Sequence, residues 1–120
     1  MEDILSCIAG TIRQFNIDPF VFVDQHQFKP DEEKQMMQQA MKDIEDCDIL
    51  IAETSYKAIG IGIEAGYAKA KGKPVIYLRH KDAEHSTTVS GISDYQIIYT
   101  DTNDLKSKLK TICSQILHKS

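Results

Sequence analysis

Two short apolar runs, Asp48-Ile49-Leu50-Ile51-Ala52-Glu53 and Val75-Ile76-Tyr77-Leu78, bracket the stretch that most constrains this chain, Gly60 to Pro74. The first run has no polar alternation and reads as a strand buried on both faces, as in a parallel sheet. It leads into a glycine-rich loop around Gly60 and Gly62. A short helix leaves that loop, and the second run follows as another strand. Such a junction offers backbone N–H groups to an anion at a helix N-terminus. It also places one carboxylate, Glu64, in the first turn of the helix, beside the anion. A lone carboxylate beside an anion cradle points toward nucleotide chemistry. Gly60 and Gly62 permit tight turning and close approach, and Gly66 lets the helix approach the sheet.

The flanking sequence extends the alternation. Ile4, Leu5, Ile8, Ile12 and Phe15 recur at helical spacing. Pro19 opens an extended run, Phe20 to Val23, that ends in Asp24-Gln25-His26. Pro30 with Asp31, Glu32 and Glu33 forms a helix start, since acids favour the positive end of the dipole. The stripe of that helix is Met36, Met37, Ala40, Met41, Ile44 and Cys47, read as core packing. Gly72 serves as a helix C-cap. After the second apolar run come a polar loop, a short segment at Thr87–Ile92, a strand at Gln96–Tyr99 and a helix from about Asn103 with Leu105, Leu109, Ile112, Ile116 and Leu117 on one face. Helices alternating with short buried strands predict an α/β fold with a parallel sheet.

Composition excludes several classes. At 120 residues the chain reads as one domain, residues 1–120, large enough for one core. A net charge of −4 without a basic stripe gives no nucleic-acid-binding surface. The apolar runs fall far short of the roughly 20 residues needed to span a bilayer, and no signal peptide opens the chain, so a cytoplasmic location is expected. Cys7, Cys47 and Cys113 form no CxxC pair and read as reduced, small hydrophobic residues. The four histidines do not cluster at metal-ligand spacing, so neither a metal nor another cofactor is expected.

The blocks Cys47–Glu53, Gly60-Ile61-Gly62-Ile63-Glu64-Ala65-Gly66-Tyr67-Ala68, Gly72-Lys73-Pro74-Val75-Ile76 and Ser86–Ile92 resemble the nucleoside 2-deoxyribosyltransferase family and the related 2′-deoxynucleoside 5′-phosphate N-hydrolases. The resemblance implies a flavodoxin-like, doubly wound parallel sheet that works as a homodimer or higher oligomer. It implies cleavage or transfer of the N-glycosidic bond of a nucleoside or its 5′-monophosphate, a small-molecule substrate. In that match Glu64 is the nucleophile. Gly60 and Gly62 wrap the sugar or its 5′ end, Ser86, Thr87 and Thr88 reach a 5′-phosphate of a neighbouring subunit, and His26 contacts substrate. The chemistry is that of a carboxylate attacking the anomeric carbon to give a glycosyl-enzyme intermediate.

The chain departs from the family pattern in three places. The opening strand and its loop are absent, so either the chain is shortened or another segment fills the gap. Ala40 stands where the family carries a general acid, and Ala58 where it carries Asp or Ser. These departures motivate an alternative reading, a non-catalytic nucleotide-binding or oligomerisation module of the same fold. Among the other polar residues, Glu53 ends a strand at the edge where ligands bind in open α/β sheets, a place that fits ligand contact and loop ordering equally. Tyr67 reads as packing, and His80, His85, Lys69, Lys71 and Lys73 read as solvated.

Overall fold

A computed structural model describes residues 2–22, 32–53 and 59–119. Its elements run α1 (Glu2–Arg13), β1 (Pro19–Phe22), α2 (Glu33–Asp46), β2 (Ile49–Glu53), α3 (Ile59–Ala70), β3 (Val75–His80), α4 (Thr87–Ile92), β4 (Tyr95–Tyr99) and α5 (Thr102–Lys119). The strands form one parallel sheet in the order β1-β2-β3-β4. All five residues of β2 are buried, as its unbroken apolar run requires.

Successive right-handed crossovers that step in one direction across a parallel sheet leave their helices on one face. Accordingly, Ile44 of α2, Ala65 and Ala68 of α3 and Val89 of α4 form a buried cluster with Leu50, Ala52, Val75 and Tyr77. On the other face, Ile8 and Ile12 of α1 and Leu105, Leu109 and Cys113 of α5 cover Ile49, Ile51, Ile76 and Leu78. Each fully buried Ile or Leu contributes about 1.5–3 kcal/mol. These two layers therefore hold the sheet far more strongly than any surface ion pair could.

In a flavodoxin-like sheet the first strand sits between the second and third. Here β1 pairs directly with β2, Pro19 opposite Ile49 through Phe22 opposite Ala52. Among the described residues no strand lies between them, and helices cover both faces of the sheet.

The ends of the elements follow local chemistry. Asn16, at φ 59°, takes the left-handed turn after α1, a conformation that Asn tolerates better than most residues. Gly72, at φ 76°, ends α3. The N–H of Gly72 donates to Lys69 O at 3.1 Å and that of Lys73 to Ala68 O at 2.9 Å, the paired bonds of a Schellman cap. Some expectations about faces need correction. Leu117 is 46% exposed; the helical row that buries Leu105, Leu109 and Cys113 has turned away from the sheet by then. The methionines of α2 are half-buried, while Ala40 and Ile44 carry the inward face.

Candidate functional site

Glu64 is 2% exposed, although an unsupported buried carboxylate costs several kcal/mol. It lies on α3 beside Ala65 and Ala68, which are both fully buried. The helix already includes Ile59 and Gly60, and its first turn holds no acid. Glu64 therefore sits in the second turn, not the first as expected. Gly60 and Gly62 are helical rather than part of a loop, because burial of the small and apolar side chains of α3 outweighs their low helix propensity. This weakens one argument for ionisation, since the dipole's influence fades beyond the first turn.

Gly62 marks where α3 comes near α4. A Cβ built there would lie 3.9 Å from Thr88 Oγ1 and 4.0 Å from Val89 Cγ2. The fold thus brings Gly62 and Thr88 together from separate motifs. Ser86 precedes α4 as its N-cap, its Oγ accepting from Val89 N–H at 3.4 Å and lying 3.5 Å from Thr88 Oγ1. The N–H of Ser86 donates to the hydroxyl of buried Tyr77 at 2.7 Å, which ties the cap to β3. Thr87 and Thr88 are exposed. Gly66 does not mediate close packing on the sheet: it is exposed, and a Cβ there would meet nothing within 4 Å. It lies on the outward side of α3 with Ile63, which is 61% exposed.

Two more charged groups sit at the carboxyl ends of the strands. Glu53, also 2% exposed, accepts a hydrogen bond from Tyr99 Oη at 2.7 Å. Its alternation with Ile49 and Ile51 puts it on the α1/α5 face, across the sheet from α3. On that side His80 meets the Tyr99 ring edge-on, centroids 5.6 Å apart. His80 Nδ1 accepts from Asp82 N–H at 3.1 Å and Nε2 faces Thr100 O at 3.2 Å, so this histidine is held in place rather than loosely solvated. Arg79 is half-buried at the end of β3, and its Nη1 donates to Ala83 O at 2.7 Å. Sequence reasoning passed over Arg79 and Tyr99. Period-two alternation continued past Tyr77 would have flagged the arginine.

The remaining expectations resolve unevenly. His26 and Ala58 lie outside the described residues. Ala40, in the general-acid position of the family, is 7% exposed within α2. Tyr67 donates a short hydrogen bond to Glu45, which raises its phenol pKa above the usual value. Lys71 stands over the Tyr67 ring at 5.5 Å. Lys69 is not simply solvated but ion-pairs with Asp94 at 2.7 Å. Cys7, Cys47 and Cys113 are free thiols. Burial pushes the Cys47 and Cys113 thiols up, which removes thiolate character and with it nucleophilicity. Among the described residues no three His, Cys, Asp or Glu side chains are grouped to hold a metal, and no helix is long and apolar enough to cross a membrane.

Comparison with known proteins adds three findings. A family model described as nucleoside 2-deoxyribosyltransferase matches residues 2–115. A candidate 2′-deoxynucleoside 5′-phosphate N-hydrolase of Thermofilum pendens is 30% identical over 84 residues, 66% of this chain and 59% of that protein. One of the same description from Syntrophotalea carbinolica is 44% identical over 41 residues, 34% of this chain and 29% of that protein. The chain thus spans well under two thirds of either curated relative. Among solved structures, the CMP N-glycosidase BcmB of Clostridium botulinum superposes with a TM-score of 0.56 at 28% identity, covering 65% of this chain and 74% of that one.

Proposed function

Because the chain belongs to the nucleoside 2-deoxyribosyltransferase family, we propose that it cleaves or transfers the N-glycosidic bond of a 2′-deoxynucleoside 5′-monophosphate or its nucleoside, with Glu64 as nucleophile. The carrying observation is the burial of Glu64 in the position that matches the family's nucleophile. An ionisable group withdrawn from water is a candidate functional group on physical grounds, and its place in the matched motif supports that reading. A carboxylate oxygen of Glu64 forms a bond to the anomeric carbon. The bond from that carbon to the base nitrogen breaks, its electron pair leaves with the base, and the base takes up a proton. Water or a second base then attacks the same carbon and frees the carboxylate. Gly60, Gly62 and the Ser86–Thr88 segment line the sugar and 5′ end. The relatives named for nucleoside 5′-phosphates and the CMP N-glycosidase favour a monophosphate. Residues 1–120 act as one such domain, and the family match favours self-association into a homodimer.

The test is base release from a panel of deoxynucleosides and their 5′-monophosphates. Wild type releases base, and Glu64→Gln lowers the rate by at least about 10³-fold. Absence of release from every member by folded protein sinks the proposal. The second reading, nucleotide binding without turnover, is favoured by Ala40, since losing a general acid costs about 10²–10⁴ in rate. Calorimetric binding of a nucleotide that is never cleaved would establish it.

A further inference from the structure

Strand β4 ends the sheet on one side, since among the described residues it pairs with β3 alone. The carbonyl of Tyr99 faces β3, where it accepts the Lys81 N–H at 3.0 Å. Successive residues of a strand turn their backbone polar groups to opposite sides, so Ile98 and Gln96 present theirs to the open side. The strand reads Tyr95-Gln96-Ile97-Ile98-Tyr99, without charge, proline or glycine. Every side chain in it except Gln96 is β-branched or aromatic. Ile98 is 47% exposed. An uncharged segment of this kind on an open edge is a template for a further strand.

The segment is also nearly its own reverse. Laid antiparallel against a second copy about Ile97, it sets Tyr95 opposite Tyr99 and Gln96 opposite Ile98. The outward backbone groups belong to Gln96 and Ile98, so these residues would exchange the hydrogen bonds of such a ladder, and each pair would need the Ile98 carbonyl. That carbonyl is already taken. Lys108 of α5 donates from Nζ to Ile98 O at 2.6 Å. The same ammonium lies 3.1 Å from Asp104 Oδ2. That oxygen is fixed in turn by the Thr100 N–H at 3.0 Å and the Thr100 hydroxyl at 3.3 Å. An exposed ion pair of this kind contributes little to stability, so its position matters more than its strength. A second β4 would have to displace the ammonium and would bring another like charge against it.

We propose that Lys108 keeps the outer edge of β4 closed to β4 of a second copy of this chain. No catalytic group takes part, and any oligomer that wild type forms through other surfaces is the baseline.

The experiment is light scattering over a concentration series on the full chain, with thermal melts in parallel. The samples are wild type, Lys108→Met, Lys108→Arg and a double variant combining Lys108→Met with Ile98→Lys. Lys108→Met keeps the length of the side chain and removes its charge and donors. It is expected to melt close to wild type and to associate beyond the wild-type state, with an apparent association constant raised at least about tenfold. Lys108→Arg keeps the cation and stays at the wild-type mass. Ile98→Lys puts a charge on the edge itself, so the double variant returns to the wild-type mass. Lys108→Met at the wild-type mass throughout the series overturns the inference. Association that persists in the double variant also overturns it, because another surface is then in use, and so does equal association of Lys108→Arg. If Lys108→Met does not fold, Lys108→Gln takes its place under the same criteria.

Discussion

The two edges of the sheet use charge in opposite ways. At the amino edge two carboxylates, Asp48 and Asp94, join one element to the next. Asp48 accepts the N–H of Asp18 at 2.7 Å, which ties the start of β1 to that of β2. Asp94 accepts the N–H of Val75 at 2.9 Å and the ammonium of Lys69 at 2.7 Å, joining β3, β4 and α3. These groups are solvent-accessible and cheap to keep charged. At the carboxyl edge Glu53 and Glu64 are withdrawn to 2% exposure, and Arg79 keeps part of its guanidinium uncommitted. A groove of about 360 Å³ lies at the amino edge, lined by Lys69, Lys73, Asp94 and Tyr95. Its acid, Asp94, is already committed to the fold. The buried carboxylates thus lie at the edge opposite the groove, where the proposed site sits.

The largest predicted effect lies at Glu64. Glu64→Gln removes the attacking oxygen and a buried charge while keeping the side chain's shape. Base release is expected to fall by at least about 10³-fold, with the melting temperature unchanged or raised. A variant that loses activity and stability together would make Glu64 a structural group and erase the contrast between the edges.

Tyr99→Phe tests whether both buried carboxylates belong to the same machinery. It deprives Glu53 of a donor and is expected to cost about 1–3 kcal/mol in chemical denaturation. Glu53 lies across the sheet from α3, so base release should fall far less than in Glu64→Gln. Comparable losses would join the two faces into one site.

The layout of the sheet could be read from the sequence because burial on both faces leaves an unmistakable pattern. β2 and β3 appear as unbroken apolar runs, and Ser86 and Gly72 announce their caps by residue type. The start of α3 could not be read. Glycines at 60 and 62 argue locally for a loop, and only packing against the sheet makes them helical. Nor could the pairing of Lys69 with Asp94, or of Glu53 with Tyr99, since both join elements that no spacing rule connects. Glu64 was legible as a position through its motif, while its burial and its place in the second turn are tertiary facts. Arg79 was missed because one polar residue at a strand end looks like ordinary solvation.

The amino edge should respond in stability alone. Burial would raise the carboxyl pKa of Asp94, but the Lys69 hydrogen bond, the Val75 N–H and the Lys69 charge together hold it below its usual value of 3.8. A carboxyl lowered on folding contributes stability above its unfolded pKa and loses it as pH falls through the folded pKa. Asp94→Ala is therefore expected to cost about 1–2 kcal/mol at neutral pH, a range that allows for solvent screening of the ion pair. The gap from wild type should stay flat above about pH 5 and shrink below about pH 4. Base release at pH 7 should not change.

The smallest effects come from a pair of glycines and have opposite signs. Gly62 is helical with ordinary contact distances around an added Cβ, so Gly62→Ala should raise stability by up to about 1 kcal/mol through helix propensity. If the space between Gly62 and Thr88 takes the sugar, the same methyl group should raise KM. Gly72 sits at φ 76° with open space around it, so nothing would clash there and only backbone strain matters. Gly72→Ala should lower stability by about 1 kcal/mol, and Gly72→Asn by less, because Asn tolerates the left-handed region. Neither should alter KM. Thermal melts and initial rates on the three variants separate the two edges within helix α3 itself: at its start a methyl group strengthens the fold and obstructs the reaction, and at its end a methyl group weakens the fold and leaves the reaction alone.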